Sequence, residues 1–177
     1  YLGSDGAMYT NSFTPDGYYV GSDGAYYTNR WVLNDGKYYY TNGIGFVVKN
    51  TWIGAYYLGN DGAMLTNTFT PDGYYVGADG VYLRNQKITV GDKEYYLNAY
   101  GNIAKNHWVG DYWCGEDGKY VKSSWVDKNR YYVDSNGVYV RNAWKQINGK
   151  YYYMEASGLT RKNAWAGAYY LGSDGVM

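Results

Sequence analysis

Short aromatic-rich runs alternate with polar, glycine-rich stretches along the whole chain, and no stretch keeps a 3.6-residue apolar period. Trp31-Val32-Leu33, then Asn34-Asp35-Gly36, then Lys37-Tyr38-Tyr39-Tyr40 is one instance. The first run predicts a short strand and the last its antiparallel return, rich in residues that favour strands. The Gly between them supplies the positive φ that a tight hairpin turn needs. Equivalent turns stand at Pro15-Asp16-Gly17, Pro71-Asp72-Gly73, Gly91-Asp92 and Asn148-Gly149. A loop with a second turn comes after each hairpin, as at Asp23-Gly24, Asp61-Gly62, Asp79-Gly80, Asp117-Gly118 and Asn136-Gly137. Units close on Asn11, Asn29, Asn50, Asn67, Asn85, Asn106, Asn142 and Asn163, just before the next unit. Asn is the non-Gly residue best suited to left-handed backbone, so a chain reversal is expected at each.

These units repeat. They begin near Phe13, Trp31, Trp52, Phe69, Lys87, Trp108, Trp125, Trp144 and Trp165, and their lengths cycle in threes with a superrepeat of 56 to 57 residues. The phrase Tyr57-Leu58-Gly59-Asn60-Asp61-Gly62-Ala63-Met64 has near-copies at residues 1–8 and 170–177. The expected organisation is a single array over 1–177, with superrepeats at about 13–51, 52–107 and 108–164 and partial units at both ends, excerpted from a longer protein. Such a period predicts a stacked, all-β array in which each unit covers its neighbour's apolar face. The third member of each cycle carries the fuller hairpin. In the doublets, such as Tyr18-Tyr19, Tyr56-Tyr57 and Tyr131-Tyr132, strand alternation sends one ring inward and one outward. The inward rings are expected to stack as the core and the outward ones to form a periodic aromatic surface.

Composition sharpens this picture. Leu, Ile, Val and Phe total 30 of 177 residues, a level that alone would suggest disorder, but 27 Tyr and 7 Trp take their place. Sixteen basic residues balance sixteen acidic ones, which argues against nucleic acid as a partner. No apolar stretch is long enough to insert in a membrane. Cys114 occupies the slot of Leu58 and Leu171 and reads as a small core residue; His107 reads as a solvated linker residue. No metallopeptidase, nucleophile-elbow or phosphate-loop motif is present, so neither a catalytic residue nor a metal or cofactor is assigned and the chain is read as a non-enzyme. Most Asp residues precede Gly in turns, where they serve the backbone. The unit is about twice a calcium β-roll nonapeptide, which disfavours that fold.

The pattern Trp-x(3–6)-Gly-x-Tyr-Tyr-Tyr, a glycine loop, then Asn-x-Trp, fullest at Trp31–Asn50 and Trp144–Asn163, resembles the cell-wall-binding repeats of Gram-positive bacteria and their phages. Choline-binding, glucan-binding and toxin carbohydrate-binding repeats belong to that family. The resemblance implies a repeat solenoid of short β-hairpins stacked into a superhelical rod, with ligand sites between hairpins and a separate attached module. It also implies a three-walled choline cage: the leading Trp, the aromatic before the doublet, and an aromatic of the next unit. Trp31 with Tyr38, and Trp144 with Tyr151, keep the first two walls, and Tyr56 or Tyr57, and Tyr169 or Tyr170, could supply the third. Gly17, Ala55, Gly73, Glu94, Asp111, Arg130 and Ala168 fill the second slot elsewhere, so at most two units hold such a cage. Trp31, Trp52, Trp108, Trp125, Trp144 and Trp165 are also candidate platforms for the C–H face of a sugar. Packing between hairpins competes with binding at every ring.

The expected function is therefore a non-catalytic cell-wall or carbohydrate-binding module. It would anchor an attached domain to the bacterial surface or to glycans: wall polysaccharide, glucan or a teichoic-acid-type polymer. The expected location is secreted, at the cell surface and wall. A ligand-free structural spacer is the alternative, and dedicated choline binding ranks below both. Apolar faces at solenoid ends would also admit self-association.

Overall fold

The computed structural model describes residues 1–177. Its regular structure is eighteen strands paired as nine separate antiparallel hairpins, without a helix. The chain divides into two compact units, Tyr1–Leu83 and Arg84–Met177. The first holds β1 (Ser12–Phe13) with β2 (Tyr19–Val20), β3 (Arg30–Asn34) with β4 (Lys37–Thr41), β5 (Thr51–Ile53) with β6 (Tyr56–Leu58), and β7 (Thr68–Phe69) with β8 (Tyr75–Val76). The second holds β9 (Gln86–Val90) with β10 (Lys93–Leu97), β11 (His107–Val109) with β12 (Tyr112–Cys114), β13 (Ser124–Val126) with β14 (Tyr131–Val133), β15 (Ala143–Ile147) with β16 (Lys150–Met154), and β17 (Ala164–Ala166) with β18 (Tyr169–Leu171). Five-residue strands occur in the hairpins led by Trp31, Lys87 and Trp144, the fuller member of each cycle.

Local chemistry accounts for each reversal. Asp35 and Gly36 turn at φ 46° and 75°, and Asn148 and Gly149 at 50° and 79°. Two successive positive φ values match the right-handed twist of the strands they join. All eight closing Asn residues lie in the left-handed region, with φ between 46° and 51°. Ser123, at φ 48°, takes that place in the one junction without Asn. In the loops, a carboxylate accepts the backbone N–H two residues on: Asp61 from Ala63 at 2.9 Å and Asp79 from Val81 at 3.0 Å. These acids complete turns, as expected from their place before Gly.

The core differs from the tyrosine stack expected of the doublets. The residue just after each doublet is almost wholly buried: Val20, Thr41, Leu58, Val76, Leu97, Cys114, Val133, Met154 and Leu171. These nine side chains form the driest positions of the hairpins. A phenol ring brings a hydroxyl that must stay wet or find a partner, so aliphatic residues take the innermost place. The polar exception fits the same rule, since Thr41 donates its hydroxyl to the Arg30 carbonyl at 3.3 Å. Tyr19, Tyr57 and Tyr75 join the core, while the second ring of most other doublets is half-buried. Burying a Leu is worth about 1.5–3 kcal/mol, so this thin column, repeated, carries much of each hairpin's stability.

Candidate functional site

Within each unit, most hairpins meet the next through a common aromatic joint. The leading aromatic packs edge-to-face on the second ring of its own doublet: Trp31 on Tyr40 at 5.4 Å, Trp52 on Tyr57 at 5.2 Å, Trp144 on Tyr153 at 5.4 Å. It also meets the first ring of the next doublet: Trp31 with Tyr56 at 5.3 Å, Trp52 with Tyr74 at 5.6 Å, Trp108 with Tyr131 at 5.1 Å, Trp125 with Tyr152 at 4.9 Å and Trp144 with Tyr169 at 5.6 Å. In these joints the doublet gives one ring to its own leading aromatic and one to the preceding hairpin's, rather than one inward and one free outward ring. The next loop then pins back on the residue before the first doublet. Met64 donates its N–H to the Tyr38 carbonyl at 2.7 Å, Tyr82 to Ala55 at 3.2 Å, and Met177 to Tyr151 at 2.9 Å.

Two slots vary between joints: the residue before the doublet, and the loop residue pinned to it. At the Trp31 joint they are Tyr38 and Met64. Trp31, Tyr38, Tyr56, Met64 and Asp79 line a cavity of about 300 Å³. Tyr38 is 48% exposed, so it forms a wall of this cavity rather than part of the core. Gly80, at φ +80°, lets Met64 lie close: a Cβ there would come within 2.6 Å of the Met64 Cε. Three ring walls, a polarisable thioether and one carboxylate suit an organic cation, through ring quadrupoles and one opposite charge. The Trp144 joint repeats the set with Tyr151, Tyr169 and Met177, and its three rings are all exposed.

The Trp52 and Trp108 joints are different. Ala55 and Asp111 occupy the wall slot, and Tyr82 and Tyr139 the loop slot. Tyr82 lies 5.8 Å from Trp52 and 6.0 Å from Tyr74; Tyr139 lies 5.6 Å from Trp108 and 6.3 Å from Tyr131. Each set is a closed triad whose rings contact one another. The Trp52 indole N–H is also engaged, donating to Asp72 at 2.8 Å, and the Thr70 hydroxyl donates to the same carboxylate at 2.6 Å. Burial would raise the Asp72 pKa, but the Thr70 and Trp52 hydrogen bonds outweigh it and hold it below the usual carboxylate range. Asp111 pairs with Arg141 at 3.7 Å. Trp125 is half-buried between Tyr132 and Tyr152. Trp165 packs on Tyr170 and is 63% exposed.

At the Lys87 joint an ammonium replaces the leading ring. Glu94 sits in the wall slot and receives Lys87 at 2.7 Å and Lys122 at 3.3 Å. Hydrogen bonds from both lysines hold the Glu94 carboxyl below its ordinary pKa. Burial pushes the neighbouring Tyr120 hydroxyl up to about 12. That joint is occupied by the chain's own charges. Cys114 lies in the dry column, where burial pushes its thiol up to about 11, as a core residue requires.

The structure thus joins Trp31, Tyr38 and Tyr56 at one cavity and brings Trp144, Tyr151 and Tyr169 into the matching joint, while Trp52 and Trp108 enter closed triads. Sequence reasoning missed Met64 and Asp79 as lining residues and Tyr82 and Tyr139 as fillers. The Met that ends the repeated Tyr-Leu-Gly-x-Asp-Gly-x-Met phrase was the available signal for the first.

Comparison with known proteins agrees with this architecture. The family model described as choline-binding repeat matches residues 1–26, 46–82 and 102–139, more than half of the chain. Glucosyltransferase-I of Streptococcus downei is 30% identical over 100 residues, covering 52% of this chain and 5% of that protein. Glucosyltransferase-S of Streptococcus mutans serotype c is 32% identical over 115 residues, covering 58% and 8%. The chain therefore spans a small fraction of these relatives' length. Among solved structures, the modular autolysin LytC from Streptococcus pneumoniae, in complex with a synthetic peptidoglycan ligand, superposes with TM-score 0.86 at 30% identity over 96% of this chain and 42% of that one. The choline-binding domain of CbpL from the same organism gives 0.67 at 36% identity, covering 83% and 85%. The β-hairpin solenoid expected from the sequence is the fold these proteins share.

Proposed function

The chain belongs to the choline-binding repeat family, and from that premise we propose that it is a non-catalytic wall-binding module whose Trp31 cage holds a quaternary ammonium such as choline. The single observation that carries the ligand is the convergence of Trp31, Tyr38 and Tyr56 on one cavity of about 300 Å³, with Asp79 at its edge. That volume is at the lower end of small-molecule sites. A trimethylated nitrogen has no N–H to donate, so ring faces and one carboxylate recognise it better than hydrogen-bond acceptors do. The Trp144, Tyr151 and Tyr169 set is the second site of this kind. Within each unit, the other joints hold successive hairpins together. In the parent protein, the module would attach a separate domain to choline-bearing polymer at the surface of a Gram-positive cell.

The test is retention of the 177-residue chain on a DEAE-type matrix and on purified Gram-positive walls, with elution by free choline. Retention on both, released by choline, is the expected result. Passage through the matrix would refute the choline cage. Retention on walls that choline does not reverse would keep the wall-binding module but reassign its ligand.

A further inference from the structure

One groove in the second unit departs from the repeat in three ways at once. Eight of the nine doublets are Tyr-Tyr, whereas Tyr112-Trp113 carries an indole second. The next hairpin opens on Trp125, where the preceding superrepeat has Phe69. Its turn, Pro71-Asp72-Gly73 in that superrepeat, becomes Asp127-Lys128-Asn129. These three consecutive non-glycine residues stand at φ 49°, 58° and 59°. Left-handed backbone is normally visited by single residues, usually Gly or Asn. The turn is held by the Arg130 N–H, which donates to the Val126 and Asp127 carbonyls at 3.2 Å each, and by the ion pair of Arg130 with Asp127.

All three departures face one groove of about 550 Å³, which Glu116 also lines. The volume lies within the usual range for small-ligand sites. Both indoles are half-buried and fixed: Trp113 against Trp108 at 5.1 Å, and Trp125 between Tyr132 at 5.5 Å and Tyr152 at 4.9 Å. Rings already held lose little freedom on binding. Around them stand the exposed Glu116, Lys128 and Asn129, which together offer hydrogen-bond donors and acceptors, while Asp127 is held by Arg130. This is not a cation cage, because its polar groups carry both signs and its aromatic surface comes from two indoles rather than three surrounding walls. Apolar platforms with mixed donors and acceptors fit a ring that has a C–H face and a girdle of hydroxyls. Backbone held in a sparsely populated conformation commonly accompanies a site.

We propose that the Trp113–Trp125 groove is a further ligand site, different in chemistry from the Trp31 and Trp144 cages, that binds a neutral hexopyranose unit of a polysaccharide. The proposal deepens the reading of the chain as a wall-binding module and rests on that reading only for the setting in which a polysaccharide is met. Two sources share this chemistry, a glucan and the amino-sugar backbone of the wall.

The test titrates the whole 177-residue chain separately with dextran and with chitotetraose, monitored by tryptophan fluorescence. Trp113→Tyr restores the doublet found in the other hairpins and should weaken binding about fivefold. Glu116→Ala, at an exposed position in the groove, should weaken it about threefold. Choline titration of both variants should match the wild type. Binding of dextran alone assigns a glucan, and of chitotetraose alone a wall amino sugar. Failure of both saccharides to bind overturns the proposal, as does unchanged affinity in both variants. Should Trp113→Tyr lower the melting temperature, Glu116→Ala decides. Saccharide binding that depends on the groove, in a chain that fails the DEAE and wall tests, would leave this site standing and remove the cage.

Discussion

Replacing Tyr38 by Ala separates binding from folding more cleanly than any change to a tryptophan. Tyr38 is 48% exposed and stands in a slot that Ala55 and Ala168 already fill in other hairpins of this chain. Truncation therefore forfeits about half of an aromatic side chain's burial, roughly 1 kcal/mol. For a chain of this size that corresponds to a melting temperature lower by about 2–4 °C. At the cage, the variant removes one of three ring walls. A cation–π contact is worth about 0.5–2 kcal/mol, and 1.4 kcal/mol is tenfold in affinity, so the dissociation constant for choline should rise about twofold to thirtyfold. The assay is a choline titration read at the Trp31 indole N–H resonance, which separates this cage from the one at Trp144. Tyr151→Ala should produce the same weakening at Trp144 and none at Trp31. Unchanged affinity in Tyr38→Ala would refute the three-wall argument. Loss of binding together with loss of cooperative melting would show that the ring is structural.

The geometry sets three further outcomes. Gly118→Ala, at φ +80° with its added carbon 2.1 Å from the Ile103 Cγ2, should destabilise by about 1–3 kcal/mol, and an unmoved urea midpoint would contradict this. The Asp72 carboxyl has a lowered folded pKa, so its contribution is fully present above the unfolded value near 3.9 and is lost as pH falls through the folded one. The melting-temperature gap between wild type and Asp72→Ala should thus be widest near neutrality and narrow in acid; a gap that stays constant from about pH 7 to 3 would sink the assignment. Cys114, buried with its thiol raised to about 11, should resist Ellman's reagent in the native state near pH 8 and react on unfolding; fast native labelling would place it outside the core.

Most of the fold was legible because each hairpin's signals are local. Asp35-Gly36 writes a tight turn, and the closing Asn residues write the left-handed junction, independently of anything distant. The core was only half legible. Counting tyrosines suggested that rings form it, whereas the driest place belongs to the residue after them, and only Cys114's alignment with Leu58 and Leu171 hinted at that column. The cage showed the same division. Tyr38 could be named from its own hairpin, since the wall slot is a local position. Met64 and Asp79 could not, because they come from later loops and enter the cavity only when hairpins stack. The closed triads escaped notice for the same reason: Tyr82 and Tyr139 lie a full unit downstream of the tryptophans they cover.

That downstream contribution has a consequence for how such genes diverge. The Trp31 cage takes two walls from its own hairpin, and Tyr56, Met64 and Asp79 from residues further along the chain, so its ligand preference belongs to a junction and not to a repeat. An in-frame deletion of 52–107 would join Thr51 to Trp108, with Thr51 in the strand place of His107, and by register it would set Tyr112 and Tyr120 where Tyr56 and Met64 now stand. Unequal crossing-over between superrepeats can therefore change the residues that line such a cavity without a single point mutation.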